Sequence, residues 1–443
     1  MKREEIPSHV VDLGLKQGAT DVAVSLVEQD RTMIRFSNNE VTVSKVFKEN
    51  LLGIFLMIER QRSAIVMAFS SVKGLDKVVN NLVKTAKNTP PADVYAPLPK
   101  GPFQYDHELL KGSKVSFDPD KLTGYVEEAI AGALEGGAVK AAGTLTATKA
   151  KMMLATSGSV QATQQRNGLE ISVRAFKSDV ASGHSVSIAK TEREFRPAET
   201  GRMAGEIAKA ALNPKPGQPG KYTSLLGPMV FADLVNQVGI LSSAFLVDAG
   251  QSFLIDKIGS QVASEKFTLV DDPTVKDAYG VRAFDDEGVP TRTNVIVEKG
   301  VLKTYLHNST TAKKFGVETT SNAGLIEPHP WNLIVEAGDK SFEELLAEID
   351  MGVYVTNDWY LRYQNYRTGD FSTIPRDGMF LVKNGEIAAS IRELRISDNM
   401  LRILQNIIEL SKSRAWVKWW EVEVPTLAPF ALIKDLNLTK SKM

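Results

Sequence analysis

The feature that most limits how this chain can fold is a repeat in its first half. LKQGATDVAV at residues 15–24 is answered by ALEGGAVKAA at residues 133–142, with Gly18-Ala19 falling on Gly137-Ala138. The same spacing of 119 residues pairs Met33 with Met152 and Val41 with Val160. Agreement at separate points favours internal duplication, and two copies of one unit should fold alike. A one-sided helical pattern precedes each glycine pair, through Ile6, Val10 and Leu13 in the first copy and Val126, Ile130 and Leu134 in the second. Gly18 and Gly137 then stand where a left-handed residue would end each helix.

Beyond these caps both copies alternate as β-strands do. DVAVSLVEQ, TMIRFSNNEVTVSKV and LGIFLMIE are matched by AGTLTATKAKMMLAT, SVQATQQRN, EISVRAFKS and HSVSIAKT. Tight turns are expected at Asn38-Asn39 and, equivalently, at Ser157-Gly158, where residues must tolerate positive φ. Each copy closes on a second helix. Leu75, Val78, Val79, Leu82 and Val83 give one apolar face, and Met203, Ile207 and Ala211 its counterpart. The Pro-rich NTPPADVYAPLPKGPF and NPKPGQPGKY cannot continue regular structure, so the expected units are 1–100, 101–220 and 221–443.

The third unit reads differently. SLLGPMVFA is a strand feeding a helix whose Leu234, Val238, Leu241 and Phe245 recur at helical spacing. TNVIVEKGVLKTYLH and MFLVKNGEIAASI are hairpins turning at Lys299-Gly300 and Asn384-Gly385. Ser341 and Glu344 stand in capping-box register for a helix over SFEELLAEI. NMLRILQNIIELSKS reads as a late helix and WVKWWEVEVPTL as a final strand. The fold class is α+β: a duplicated N-terminal α/β region, then a C-terminal domain rich in antiparallel, curled β-sheet.

Lys+Arg and Asp+Glu balance at 53 each, and no basic stripe is interleaved with aromatics, which argues against nucleic acid as a partner. No apolar run approaches the ~20 residues of a membrane span. The charged start MKREEIPSHVVDLG lacks the apolar core of a signal peptide, so a cytoplasmic protein without membrane contact is expected. The chain contains no cysteine, which removes thiolate nucleophiles, disulfides and Cys-containing metal sites.

The five histidines (His9, His107, His184, His307 and His329) never stand at helical spacing from one another, so no helix offers two imidazoles to one metal. His329, held in IEPHPW beside Glu327, reads as part of a rigid loop, and none of the five is assigned a role. Asp271-Asp272 and Asp285-Asp286-Glu287 can share a proton or a hard cation. Each also runs into Pro or Gly, the setting of Asx-turns at strand ends, and that use is favoured. Phosphate loops, dinucleotide fingerprints and nucleophile elbows are absent. The aromatic AWVKWWEVEV is read as core or subunit contact rather than a platform for bases. In DWYLRYQNYRTGDFST, Tyr360, Tyr363 and Tyr366 with Arg362 and Arg367 suit an extended peptide in a groove as well as an exposed hairpin.

Taken in order, SSAFLVDAGQSFLIDKIGSQVASEKFTLVDDPT, FDDEGVPTRTNVIVEKGVLKTYLHNSTTAKKFG, TTSNAG and GDFSTIPRDGMFLVKNGEI resemble the TldD/PmbA family, once called modulators of DNA gyrase. The resemblance spans nearly the whole chain. It implies a cytosolic protease assembly that cuts unfolded or extended peptides inside an enclosed cavity. In the TldD branch, the helix before the small-residue loop carries His-Glu-x-x-x-His. Its imidazoles hold zinc, its Glu activates water, and a Cys near the C-terminus completes the ligand set. Here those positions fall on Val235, Asn236 and Ile240.

The resemblance therefore implies the PmbA/TldE branch, with no catalytic or metal-binding residue and no cofactor in this chain. Zinc is expected only in a TldD-like catalytic subunit that pairs with it as a heterodimer; the other partner is a second copy, as a homodimer. Such a subunit would shape the cavity and bind unfolded peptide by strand addition. Tyr363, Arg367, Gly369, Asp370 and Phe371 are its peptide-binding candidates. Two other readings stay open. One is a free-standing metallopeptidase using His307 or His329 with the acidic clusters, and the other a non-enzymatic homodimeric binding protein.

Overall fold

The computed structural model describes residues 1–441. The first copy runs α1 (Ile6–Lys16), β1 (Asp21–Ser37), β2 (Glu40–Ile58), β3 (Gln61–Ala68) and α2 (Leu75–Lys87). After a short α3 (His107–Leu110), the second repeats that order. Its elements are α4 (Pro119–Glu135), β4 (Lys140–Thr156), β5 (Val160–Ser178), β6 (Ala181–Ala189) and α5 (Pro197–Ala210). The six strands make one sheet, ordered β3-β2-β1-β4-β5-β6, with β1 and β4 antiparallel at its centre. Asp30 faces Lys149, its own repeat mate, so a pseudo-twofold axis passes between them. Both helix-ending glycines take positive φ, 96° at Gly18 and 103° at Gly137.

The two hairpins keep one register by different means. Asp21 opposes Met57 in the first, and Lys140 opposes Phe176, its equivalent, in the second. Asn38 and Asn39 both adopt positive φ in a two-residue turn, and a bulge beside Arg35 takes up one further residue. In the second copy the turn has three residues and no bulge follows. The positive φ there falls on Ser159, not on the expected Ser157-Gly158 pair. Gly158 is required for another reason: a Cβ there would lie 2.0 Å from the Pro99 carbonyl oxygen.

Of the apolar faces expected for α4 and α5, Val126, Ile130 and Ala211 are buried, but the outermost positions are corrected. Leu134 and Met203 are 41% and 43% exposed. The two helices meet through small residues instead. A Cβ on Gly132 would come 2.1 Å from the Ala198 carbonyl oxygen, and one on Gly201 would come 1.9 Å from that of Ala129. Backbones this close leave no room for the larger side chains that periodicity alone would place there.

The C-terminal region begins with β7 (Lys215–Pro216), β8 (Gly220–Leu226), α6 (Pro228–Leu241) and α7 (Ala244–Asp248). It continues through β9 (Leu269–Asp271), β10 (Asn294–Glu298), β11 (Val301–Leu302), α8 (Ser309–Phe315), β12 (Leu333–Val335) and α9 (Phe342–Ala347). Then follow β13 (Met351–Val355), β14 (Trp359–Asn365), β15 (Asp370–Ile374), β16 (Met379–Lys383), β17 (Glu386–Arg392) and β18 (Leu394–Asn399). The chain closes with α10 (Met400–Gln405), β19 (Ile407–Val417) and β20 (Thr426–Lys440). β20 pairs with β12, β8, β18 and β19 along its length, which bends a mostly antiparallel sheet around α6. Residues 229–236 of α6 are all buried, as befits a helix enclosed by strands.

Both hairpin turns form as expected, with positive φ at Lys299, Gly300, Asn384 and Gly385. Ser341 and Glu344 make their capping box. Other expectations fail. α6 ends at Leu241, and Phe245 belongs to α7. The late helix stops at Gln405, because the free edge of β20 draws residues 407–417 into a ladder. WVKWWEVEVPTL is divided: Trp416 and Val417 end β19, residues 418–425 form a loop, and the final strand starts at Thr426.

Side chains of one face of the six-stranded sheet, Val22, Val24 and Leu26 among them, pack on the four long helices of the two copies. The opposite face, including Arg31, Thr148 and Arg166, looks onto loops of the C-terminal region. The order of layers is thus helices, sheet, C-terminal region. Among the described residues no helix is long and apolar enough to cross a membrane.

Candidate functional site

The three positions matched to a zinc motif lie on α6. Val235 is fully buried and Ile240 half-buried, and neither carries a ligand atom. Asn236 acts as a peg. Its Nδ2 donates to the Val424 carbonyl (2.7 Å) and to Thr426 Oγ1 (3.0 Å), while Val424 N donates to its Oδ1 (3.3 Å). Only an amide can both give and take in this way; an ionised Glu can only accept. The side chain staples α6 to the loop before β20. These residues do not fit a zinc ion. Among the described residues, no three His, Cys, Asp or Glu side chains converge as a metal-binding group.

Another face of α6 carries Asp233, wholly buried, which meets the equally buried Asp358 from the segment before β14. Gln237 lies beside Asp233 and Thr373 beside Asp358, each easing ionisation of its neighbour. Among the described residues, though, none of the four carboxyl oxygens has a hydrogen bond of good geometry, and neither has the buried Tyr363 hydroxyl. Burial is the main force against ionisation here, and the charge of Glu421 adds to it. Asp358 is pushed up to about 7, and Asp233 lies well above the usual carboxylate range. Burial and then Asp233 raise the Tyr363 phenol as well. Two carboxyls in this state can hold a proton between them. At the rim, Glu421 accepts from Tyr360 N (2.6 Å) and pairs with Arg362 (3.5 Å), and Tyr360 is held at φ 62°.

A second buried acid, Asp377, has the opposite surroundings. It accepts from Arg174 Nε (3.1 Å), Ser182 Oγ, Asn357 Nδ2 (2.9 Å) and Trp359 Nε1 (3.0 Å). Burial opposes ionisation, but the Arg174 guanidinium, His184 and these donors together hold its carboxyl below the usual range. Asn357 Nδ2 also lies 3.1 Å from His184 Nδ1, and His184 Nε2 lies 2.8 Å from Ser172 Oγ. Burial pushes His184 down to about 4, so the ring is neutral near pH 7. Arg174, Ser182 and His184 sit on β5 and β6, so this network bolts the N-terminal sheet to the C-terminal region.

The structure divides the peptide-binding candidates. Tyr363 points inward, its ring between Phe253 (6.4 Å) and Tyr366 (4.8 Å), and Phe371, 1% exposed, packs beside it (6.1 Å). Arg367 is exposed on the turn that Gly369 ends with φ 81°. Asp370 accepts from Thr368 Oγ1 (2.6 Å) and Asn399 Nδ2 (2.9 Å) in a shallow outer groove. The acidic clusters serve turns: Asp272 Oδ1 caps Thr274 N (2.9 Å), and Asp285 Oδ1 accepts from Glu287 N (3.0 Å) and Val289 N (2.9 Å). His307 rests against Thr311 Oγ1 (3.3 Å) and His329 on the Trp331 ring (4.1 Å), and among the described residues neither joins a metal-binding group.

Sequence reasoning missed the pair Asp233 and Asp358. A signal existed in FADLVNQV, where one charged residue sits among apolar neighbours on a helix with no polar face.

Residues 219–440 match the family described as the PmbA/TldA metallopeptidase C-terminal domain. A metalloprotease PmbA homolog from Haemophilus influenzae is 27% identical across 91% of this chain and 90% of its own. The metalloprotease MJ0996 of Methanocaldococcus jannaschii is 35% identical across 45% of this chain, which spans about half the length (46%) of that relative. Among solved structures, a protein from Thermotoga maritima described as a modulator of a DNA gyrase superposes with TM-score 0.83 at 25% identity, covering 99% of this chain and 100% of that one. TldE from Thermococcus kodakarensis shares the fold at TM-score 0.82 and 20% identity, covering 98% and 99%.

Proposed function

The chain belongs to the PmbA/TldD metallopeptidase family, and from that premise we propose that it is a non-catalytic, TldE-like subunit. Its partner would be a TldD-like zinc subunit, in a cytosolic assembly that degrades unfolded or extended peptides. The observation that carries this reading is Asn236. At the position matched to the catalytic Glu stands an amide whose donor and acceptor are both used to fasten α6 to the loop before β20. A residue so engaged does not activate water, yet it preserves the geometry of the frame. What the frame then supplies is surface. On this reading the curled sheet and the segment from Tyr363 to Phe371 supply the peptide-binding surface, with Arg367 and Asp370 exposed on it.

Native mass spectrometry of the protein drawn from its own cytosol tests this. The expected species is a mixed complex with a second, zinc-bearing subunit, and peptidase activity present in the complex and absent from this chain alone. A homodimer carrying its own metal and cutting peptides would overturn the proposal. A metal-free homodimer without peptidase activity would favour a binding protein.

A further inference from the structure

The helix-free face of the N-terminal sheet and the loops of the C-terminal region enclose a cleft of about 480 Å³. That is room for a small ligand or a few residues of extended chain. One wall is β1, β4 and β5; the other includes Tyr279, Trp331 and the loop before β20. The wall is closely built. A Cβ on Gly168 of β5 would lie 2.3 Å from the Tyr279 ring, and the Tyr279 hydroxyl donates to Glu170 on the same strand. Val424 and Pro425 also line the cleft, and Val424 is the residue that Asn236 staples to α6. The cleft therefore abuts the frame described above.

Four cations line it, and three have carboxylate partners. Arg31 faces Glu49 (3.7 Å), Lys418 faces Glu170 (3.1 Å), and Arg282 pairs with Asp286. Arg282 is further fixed by stacking on Trp331 (3.8 Å) and by Nε donating to the Phe284 carbonyl (2.8 Å). Arg166 lies close enough to feel both Arg282 and Asp286, yet among the described residues it makes no ion pair or hydrogen bond. Two guanidiniums thus share a single carboxylate, and that carboxylate is already committed to Arg282. Arg166 is half-buried in the wall, and its desolvation there, with the charge of Arg282 opposed by Asp286, brings it down to about 10. Glu423, exposed on the same loop, has no cationic partner among the described residues and repels acid from its end.

We propose that this cleft binds a carboxylate carried by a peptide, gripped by the Arg166 guanidinium. Planar two-point pairing suits Arg and carboxylate, and Thr146, Thr148 and Gln29 offer hydrogen bonds to the neighbouring peptide backbone. The inference rests on the peptide-binding reading above and gives it a substrate class: extended peptides with an acidic side chain or a free C-terminus.

The test uses the full chain and a fluorescein-labelled Gly/Ser octapeptide ending in Glu, read by fluorescence polarisation. Its companions carry Gln for Glu, a C-terminal amide, or both. Wild type should bind the doubly acidic probe at least tenfold tighter than the doubly neutral one. Arg166→Gln should erase that preference, and Arg166→Lys should keep part of it. The single neutralisation that costs more identifies the side chain or the terminus as the source. The melting temperature of Arg166→Gln should stay level or rise, since an uncompensated cation is removed. A preference that survives Arg166→Gln, equal binding of all probes to wild type, or a marked fall in melting temperature would each overturn the inference. Equal capture of all probes would leave the subunit proposal standing, because co-purification with a zinc subunit decides that separately.

Discussion

Asp377 and the Asp233–Asp358 pair are buried acids reached from the same short segment of chain, yet they are treated oppositely. Asp377 receives four donor groups, among them a guanidinium, and stays ionised. Asp233 and Asp358 have at most Gln237 and Thr373 nearby, with no well-formed hydrogen bond among the described residues, and are driven toward the protonated form. The first arrangement joins two layers of the molecule. The second contributes nothing of that kind, since buried carboxyls without donors oppose folding. A fold that tolerates such a pair on its central helix keeps it for some other reason than stability. Its place on α6, the helix enclosed by the C-terminal sheet, makes it the part of the chain most worth perturbing.

Mutations can break or sharpen this contrast. Asp377→Ala leaves Arg174 partly buried without its partner and should cost about 3–5 kcal/mol in urea unfolding. A loss below about 1 kcal/mol would show that the joint is not structural. Next comes His184, which belongs to the same joint. Burial holds it at about 4 against the ordinary 6.5, so below pH 6.5 the unfolded chain takes a proton the folded state refuses. Its contribution is whole above about pH 6.5 and is lost as pH falls toward 4, about 3 kcal/mol in all. His184→Gln should flatten the stability curve across that window, and an unchanged slope would place the titration elsewhere.

The acid pair should respond with the opposite sign. Asp358, at about 7 in the folded state against 3.8, keeps a proton that the unfolded chain has released. Its cost therefore grows as pH rises from about 4 and is full above 7. Asp358→Asn should stabilise the protein by about 1–2 kcal/mol at pH 8 and change little at pH 4. Destabilisation at pH 8 would mean that the carboxylate has a partner after all. The smallest effect belongs to Tyr363→Phe, whose lost hydroxyl has no partner. Stability should stay within about 0.5 kcal/mol, and a larger loss would place the hydroxyl in a hydrogen-bonded network.

Much of the architecture was legible beforehand, and the failures are instructive. Asn38-Asn39, Lys299-Gly300 and Asn384-Gly385 turned as read, because positive φ is a demand that few residues meet. The register of 119 survived even where one copy uses a bulge and the other a longer turn. Leu134 and Met203 read as part of the apolar faces of α4 and α5 yet stand exposed, because the two helices meet through glycines and alanines. Residues 407–413 read as the end of a helix and instead begin β19, because pairing with β20 satisfies their backbone in a ladder. At the site, Val235, Asn236 and Ile240 do share one helix, as read. That Asn236 is a staple, that Asp233 meets Asp358, and that Arg166 stands without a carboxylate all depend on residues far away in sequence.

The sequence by itself determined the duplicated unit, the turns, the capping box and the family, because each depends on neighbours along the chain. A left-handed φ or an i to i+3 cap is settled within a few residues. Only the tertiary structure decided which buried polar groups find partners. A carboxylate's burial, and the charge or donor set opposite it, come from segments brought together by collapse. The same Asp side chain therefore becomes a bolt at 377 and an uncompensated acid at 233.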